Sequence, residues 1–358
     1  MKKQEKELFK SLCSFNTLTF DESLLEFATP AVLGHLFFNR MQAVAYGTLK
    51  KHGLLGKVNR EFRNSLKSAY KQNIEKNSSF FWCVQYVEKI LENCKGKYAL
   101  LKGAYLCKCY PDGYRTSNDI DILVQPKDVT TIAEALIKAD FRQGNIRNDE
   151  FIPATRKEII ESKMMRGETV PFIKEVNLPA MKYLEVDINF SLDYKPGDTN
   201  LIEEMIKNFS LKEFNDFKVS TLRSDDFFIH LCSHLYKEAS TLPWVEMKRD
   251  MTLYKYCDIY MLLNDAAEEY VDFLFDRAKE IQMDKVCAFA VLQMSRLFKF
   301  SNTYAVLIAE KILSDDPGFI HTIISPKEKK EYVFFEKDIS ERFFADDRKI
   351  LLKEVNNQ

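Results

Sequence analysis

The chain is 358 residues long, 46% hydrophobic and 29% charged, with a formal net charge of −1. That length holds two domains, or one large domain with an appended helical part. The composition excludes disordered and collagen-like chains, and the balanced charge carries no surplus of the kind that marks a protein coating nucleic acid.

From Lys2 to about Asn93 the apolar residues recur three and four apart, as in "SLLEFATPAVLGHLFFNRMQAVAYGTLKKHG", which predicts helices with Gly53 and Gly56 at a connector. The next stretch, "KVNREFRNSLKSAYKQNIEKNSSFFWCVQYVEKILEN", has neither Pro nor Gly. Its ladder from Phe62 to Ile90 is apolar at both ends and polar at Asn73 and Lys76, so the helix either packs on two surfaces or breaks near Asn77 and Ser78. At Lys95 the texture changes. "KYALLKG" reads as a strand entering a glycine turn, followed by the strand "DIDILV", a helix from Pro126 to Ala139, a mixed region from Phe141 to Val176 and the strand "KYLEVDINFSL". Helical spacing returns from Thr199, interrupted at "NDFKVSTL" by a strand or an extended connector, and continues from Asp225, a plausible N-cap, to about Ser314, with a break at Asn264 or Asp265. The tail from Asp315 is charged and aromatic and is assigned no element. The division expected is a helical region 1–94, a core 95–222 and a second helical region 223–358.

The eight cysteines are scattered, with no Cys-x-x-Cys pair and no secretory leader ahead of them, so a reduced, cytoplasmic protein is expected. Cys107 and Cys109 read as small buried hydrophobes in preference to a zinc clamp, because no second pair matches them. Every long apolar run is interrupted before the roughly 20 residues of a membrane span, so no membrane segment is expected.

Side chains alternate along a strand, so Asp119 and Asp121 share one face while Ile120, Ile122 and Val124 face the core. Two like charges about 6.5 Å apart repel unless a cation lies between them. In "KYLEVDINFSL", Leu184, Val186, Ile188 and Phe190 form one face and Tyr183, Glu185, Asp187 and Asn189 the other. If the two strands are neighbours, Asp187 stands beside the first pair and completes an oxygen-rich cluster suited to Mg²⁺ or Mn²⁺, with Glu185 as an alternative third member. Upstream, Gly103 lets a phosphate approach the backbone, and Lys102 and Arg115 add positive charge. Arg115 is either a phosphate ligand or a loop residue paired with Asp112.

The motifs "LLKG", "YPDGYR", "DIDILV" and "LEVDINF" resemble the nucleotidyltransferase superfamily built on the polymerase-β-like core, and within it a group of mostly uncharacterised bacterial nucleotidyltransferases. The resemblance spans about Leu100 to Leu192. It implies an α+β fold, a mixed β-sheet core flanked by N-terminal and C-terminal helical regions. It also implies Mg²⁺-dependent transfer of a nucleoside monophosphate from a nucleoside triphosphate such as ATP to a hydroxyl or amine, with release of diphosphate. By the resemblance, Asp119, Asp121 and Asp187 are the catalytic metal ligands, and Lys102, Gly103, Ala104, Arg115, Ser117 and Asn118 bind the nucleotide. Departures stand at Gly103-Ala104, where the superfamily has Gly-Ser or Gly-Gly, and at Asn118, where a serine often precedes the first aspartate. These bear on nucleotide affinity more than on reaction class.

His230 and His234 lie four apart, but no Glu stands between them as in His-Glu-x-x-His, so the structural reading outweighs zinc. If either serves function it is His234, with Lys237 and Asp258 lining a cleft closed by the C-terminal helices. Trp244 is a base-stacking platform or a packing residue, packing being favoured. The acceptor expected is a small molecule; the alternatives are a toxin-like enzyme acting on tRNA or protein, and a degenerate nucleotide-binding or partner-binding protein.

Overall fold

A computed structural model describes residues 1–192, 199–214 and 217–355. The chain forms α1 (Lys3–Cys13), α2 (Pro30–Phe38), α3 (Gln42–Lys51), α4 (Arg60–Glu92), β1 (Tyr98–Leu100), α5 (Gly103–Cys109), β2 (Asp119–Val124), α6 (Val129–Lys138), β3 (Arg142–Arg147), β4 (Glu150–Pro153), α7 (Arg156–Arg166), β5 (Phe172–Leu178) and β6 (Met181–Asn189). Then follow α8 (Thr199–Lys207), β7 (Ser210–Phe214), β8 (Phe217–Thr221), α9 (Ser224–Ala239), α10 (Leu242–Glu246), α11 (Leu253–Leu263), α12 (Glu268–Glu280), α13 (Asp284–Leu297) and α14 (Thr303–Ile312). The tail adds β9 (Thr322–Ser325), β10 (Lys330–Phe334), α15 (Ile339–Phe344) and β11 (Leu352–Glu354). The fold class is α+β, as expected, a mixed sheet core with flanking helices. Of the segment "NDFKVSTL", Asn215 and Asp216 lie outside the described residues, and the rest is strand β8.

Two compact units result, Met1–Tyr70 with Phe228–Gln358, and Lys71–Phe227, so the boundaries fall inside α4 and α9. The first unit is helical. Its core gathers Phe9 of α1 against Phe343 and Phe344 of α15, with ring centroids 5.7 and 5.6 Å away. The unassigned tail supplies an antiparallel sheet in the order β11-β10-β9, and Arg348 makes a bidentate pair with buried Asp250 at 2.7 to 3.0 Å. Strands of three to five residues give a weak alternation signal, which is why the tail is assigned no element from its sequence. Among the described residues no helix is long and apolar enough to cross a membrane.

In the second unit the described residues form an eight-stranded mixed sheet in the order β4-β3-β5-β6-β2-β1-β8-β7. Ile120, Ile122 and Val124 of β2 and Leu184, Val186 and Ile188 of β6 are fully buried and pack with Phe80, Cys83, Val84, Val87 and Leu91 of α4 and with Ile132 and Leu136 of α6. Burying side chains of this size stabilises by about 1.5–3 kcal/mol each, so this apolar face fixes which way both strands point. The helix α4 is a single element of 33 residues and does not break at Asn77 or Ser78.

Candidate active site

Strands β2 and β6 run parallel, with Asp119 opposite Glu185 and Asp121 opposite Asp187. Neighbouring strands lie about 4.8 Å apart, so the alternation that buries Ile120 and Val186 on one face gathers four carboxylates on the other. A register slip of one residue would send them into the core, which the apolar set forbids. The sequence reading left the strand order open; the register brings Asp187 directly beside Asp121.

The carboxylates are short of positive charge. Burial, followed by repulsion from Asp121, Glu185, Asp119 and Glu168, holds Asp187 well above the usual carboxylate range. Burial and the charges of Asp119 and Asp121 push Glu185 up to about 7. Glu168, a member the sequence reading missed, reaches the site because Gly167 caps α7 at φ +66° and turns the chain back to bridge Asn189. A glycine just past a helix is a legible stop signal, but nothing local says which strand the chain then meets.

The counter-charge present is Lys102. Its Nζ lies 2.9 Å from Asp121 Oδ1, with the two side chains 19% and 8% exposed. Burial alone would lower the ammonium's pKa, but Asp121, with Asp119 and Asp187, outweighs burial and raises it. Lys102 stands at φ +44°, ψ −118°, a conformation that costs a non-glycine residue of order 1–3 kcal/mol. That conformation turns the chain from β1 into α5. Asp121 Oδ1 also accepts from Asn189 Nδ2 at 3.3 Å.

Gly103 follows, and its lack of a side chain has a packing cause. A Cβ there would stand 2.4 Å from both Cβ and Oγ of Ser117. Ser117 is buried, and its hydroxyl donates to Asp119 Oδ1 at 2.8 Å. The superfamily's turn serine is replaced by Ala104 in sequence, yet Ser117 brings a hydroxyl against Gly103 from the next loop. Ala104 is fully buried and its amide donates to the Leu101 carbonyl at 3.2 Å, so the amide expected to face a phosphate is turned into the helix. Arg115 is buried, with its guanidinium on the Thr116 carbonyl. Asn118 is exposed, and its Oδ1 accepts from the ammonium of Lys76, a residue the sequence reading placed only on a helix ladder.

The donor set for a hard divalent cation is therefore oxygen from Asp119, Asp121 and Asp187, with Glu185 and Glu168 nearby, and its chemistry fits Mg²⁺ or Mn²⁺. Among the described residues no three His, Cys, Asp or Glu side chains converge closely enough to hold an ion as they stand. Asp121 is turned to Lys102 and Asp119 to Ser117.

With this geometry, the sequence profile of one family, described as uncharacterised nucleotidyltransferase, matches residues 29–299. The chain belongs to that nucleotidyltransferase family. Among solved structures it is similar to the crystal structure of an antigenic nucleotidyltransferase-like protein from Paracoccidioides brasiliensis, at 12% identity and a TM-score of 0.31, over 60% of this chain and 92% of that one. No curated protein matches the chain.

The remaining expected residues lie in the other unit. His234 Nε2 on α9 is 3.4 Å from Glu238 Oε1, which itself pairs with Lys255 of α11, and the His234 ring stacks on His230. Lys237 is on the same helix and Asp258 is buried on α11. The ammonium of Lys255 lies 5.5 Å from the Trp244 ring centroid, so Trp244 packs within its own unit.

Proposed function

We propose that the site transfers a nucleoside monophosphate from a nucleoside triphosphate to a hydroxyl or amine acceptor. The observation that carries this reading is the parallel register that sets Asp121 beside Asp187, with Lys102 on the turn before them. A divalent cation held by Asp119, Asp121 and Asp187 would supply the positive charge that polarises the α-phosphorus and offsets the charge of the leaving diphosphate.

The chain's own residues do the rest. Lys102 gives its ammonium to the triphosphate, leaving Asp121 to the cation. Ser117, packed against Gly103, offers the phosphate tail a hydroxyl once released from Asp119. Arg115 adds charge, and Asn118 sets the entry to β2. Asp187, ionised when the cation is bound, takes the acceptor's proton as the new oxygen–phosphorus or nitrogen–phosphorus bond forms and the bond to diphosphate breaks. His234 and Lys237 are assigned to substrate contact by family resemblance alone.

A second reading is favoured by the Lys102–Asp121 pair itself: a lysine that satisfies the central aspartate internally suits a degenerate protein that binds nucleotide or a partner without metal. A thermal-shift titration with ATP, GTP, CTP and UTP, with and without Mg²⁺, separates the two. Nucleotide at about 100 times its Kd stabilises by roughly 2.7 kcal/mol. A Mg²⁺-dependent shift in the wild type that vanishes in Asp119→Ala/Asp121→Ala is expected. A shift that ignores both Mg²⁺ and the substitutions supports the second reading.

A further inference from the structure

Resting on the nucleotide-binding reading of the site, we infer that the polar turn of α4, Asn73, Lys76 and Asn77, positions the loop that carries Arg115, Ser117 and Asn118. The three residues fall at i, i+3 and i+4, on the stripe that continues as Phe80, Val84 and Val87 in the core. One helical face thus changes from packing the sheet to holding the loop. Asn73 Nδ2 donates to the Gly113 carbonyl at 2.8 Å, Asn77 Nδ2 to the Arg115 carbonyl at 3.0 Å, and the ammonium of Lys76 to Asn118 Oδ1. The next turn adds Ser79 Oγ, which donates to the Pro179 carbonyl at 2.6 Å, between β5 and β6. The helix therefore ties the loop before β2 and the turn before β6, the two strands that carry the carboxylates.

Asn77 is not explained by packing. It is buried, and its Oδ1 has no hydrogen-bond partner among the described residues. A buried acceptor left unpaired is costly, so an apolar residue of similar size would serve the helix at least as well. What the amide supplies is a donor to the loop. Because Ser117 packs on Gly103 two residues beyond the Arg115 carbonyl that Asn77 holds, loss of that donor frees Ser117 from the turn and loosens the segment that carries Arg115.

The test uses the full-length protein with Asn77→Leu, Lys76→Met, Lys76→Arg and, as a control on the underlying reading, Asp121→Asn. Two quantities are measured: amide hydrogen exchange of residues 111–118, and the Kd for whichever of the four Mg·nucleoside triphosphates the wild type binds, by calorimetry. Asn77→Leu and Lys76→Met are expected to leave the protein folded, to speed exchange in 111–118 without affecting β5, and to weaken nucleotide binding at least tenfold. Lys76→Arg is expected to restore both. If Asn77→Leu and Lys76→Met leave Kd within twofold of a wild type whose binding Asp121→Asn abolishes, the inference is overturned and the reading of the site survives. If the wild type binds none of the four nucleotides, the reading falls and the inference with it.

Discussion

At the scale of single residues, the site is organised around one partly buried ammonium. Lys102 accepts a strained backbone to reach Asp121, and its own raised pKa reflects Asp121, Asp119 and Asp187 more than its burial. Removing one partner of a buried pair leaves the other charge uncompensated, at a cost of roughly 3–5 kcal/mol. Lys102→Met should therefore lower the melting temperature at pH 7.5 in metal-free buffer, and Mg²⁺ should recover more of the loss than it adds to the wild type. A variant as stable as the wild type without metal would show that the carboxylates need no counter-charge. Gly103→Ala tests the adjacent position. Its methyl meets Ser117 at 2.4 Å, and a serine bonded to Asp119 has no long flexible end to move. Overpacking of this kind costs about 1–3 kcal/mol. Differential scanning calorimetry should register that loss together with weaker nucleotide binding, whereas Ala104→Gly, on the buried side of the turn, should leave binding nearly unchanged.

Among the elements, β2 and β6 were largely legible in the sequence and their pairing was not. Period-two alternation in "DIDILV" and "LEVDINF" separates carboxylates from aliphatics from nearest neighbours alone. That Asp121 faces Asp187 depends on a parallel pairing across α6, β3, β4, α7 and β5, a long-range fact with no local signature. The helix α4 shows the converse case. Its polar middle reads as either a change of packing surface or a break, because polar residues on a buried stripe lack an evident partner in the sequence; the partners are loop carbonyls 40 and 38 residues away in the chain. If the helix is continuous through this turn, Ser78→Pro removes a backbone hydrogen bond and clashes with the carbonyl of Ile74, costing about 3 kcal/mol or more. Ser78 is exposed and its hydroxyl bonds only back to the Ile74 carbonyl, so Ser78→Ala should be neutral or slightly stabilising. Equal melting temperatures for the proline and alanine variants would argue for a break.

On the scale of the whole molecule, one titrating group in each unit responds to acid with the opposite sign. In the second unit Glu185, pushed up to about 7, keeps its proton in the folded protein where the unfolded chain, at its ordinary 4.5, has released it. Its contribution to stability is complete below 4.5 and is lost as pH rises through 7. In the first unit His321 is lowered to about 4 by burial and by the charges of Arg342 and Lys337, and its buried Nδ1 has no partner among the described residues to receive a new N–H. The unfolded chain binds that proton below 6.5, so the stability from neutral His321 is complete above 6.5 and is lost as pH falls toward 4. Two substitutions separate the contributions in melting curves taken from pH 4.5 to 7.5. Glu185→Gln should melt above the wild type at pH 7.5 and level with it at pH 4.5, because the amide never ionises. His321→Phe should do the reverse, gaining at pH 5 and matching at pH 7.5. Mg²⁺ should reduce the Glu185→Gln advantage at pH 7.5 without abolishing it, since a cation on Asp119 and Asp121 removes their repulsion but not the burial that is the larger cause of the raised Glu185 carboxyl, and should leave the His321→Phe difference unchanged. An advantage for Glu185→Gln that is undiminished in saturating Mg²⁺ would mean that burial alone, without the neighbouring aspartates, sets the titration of Glu185.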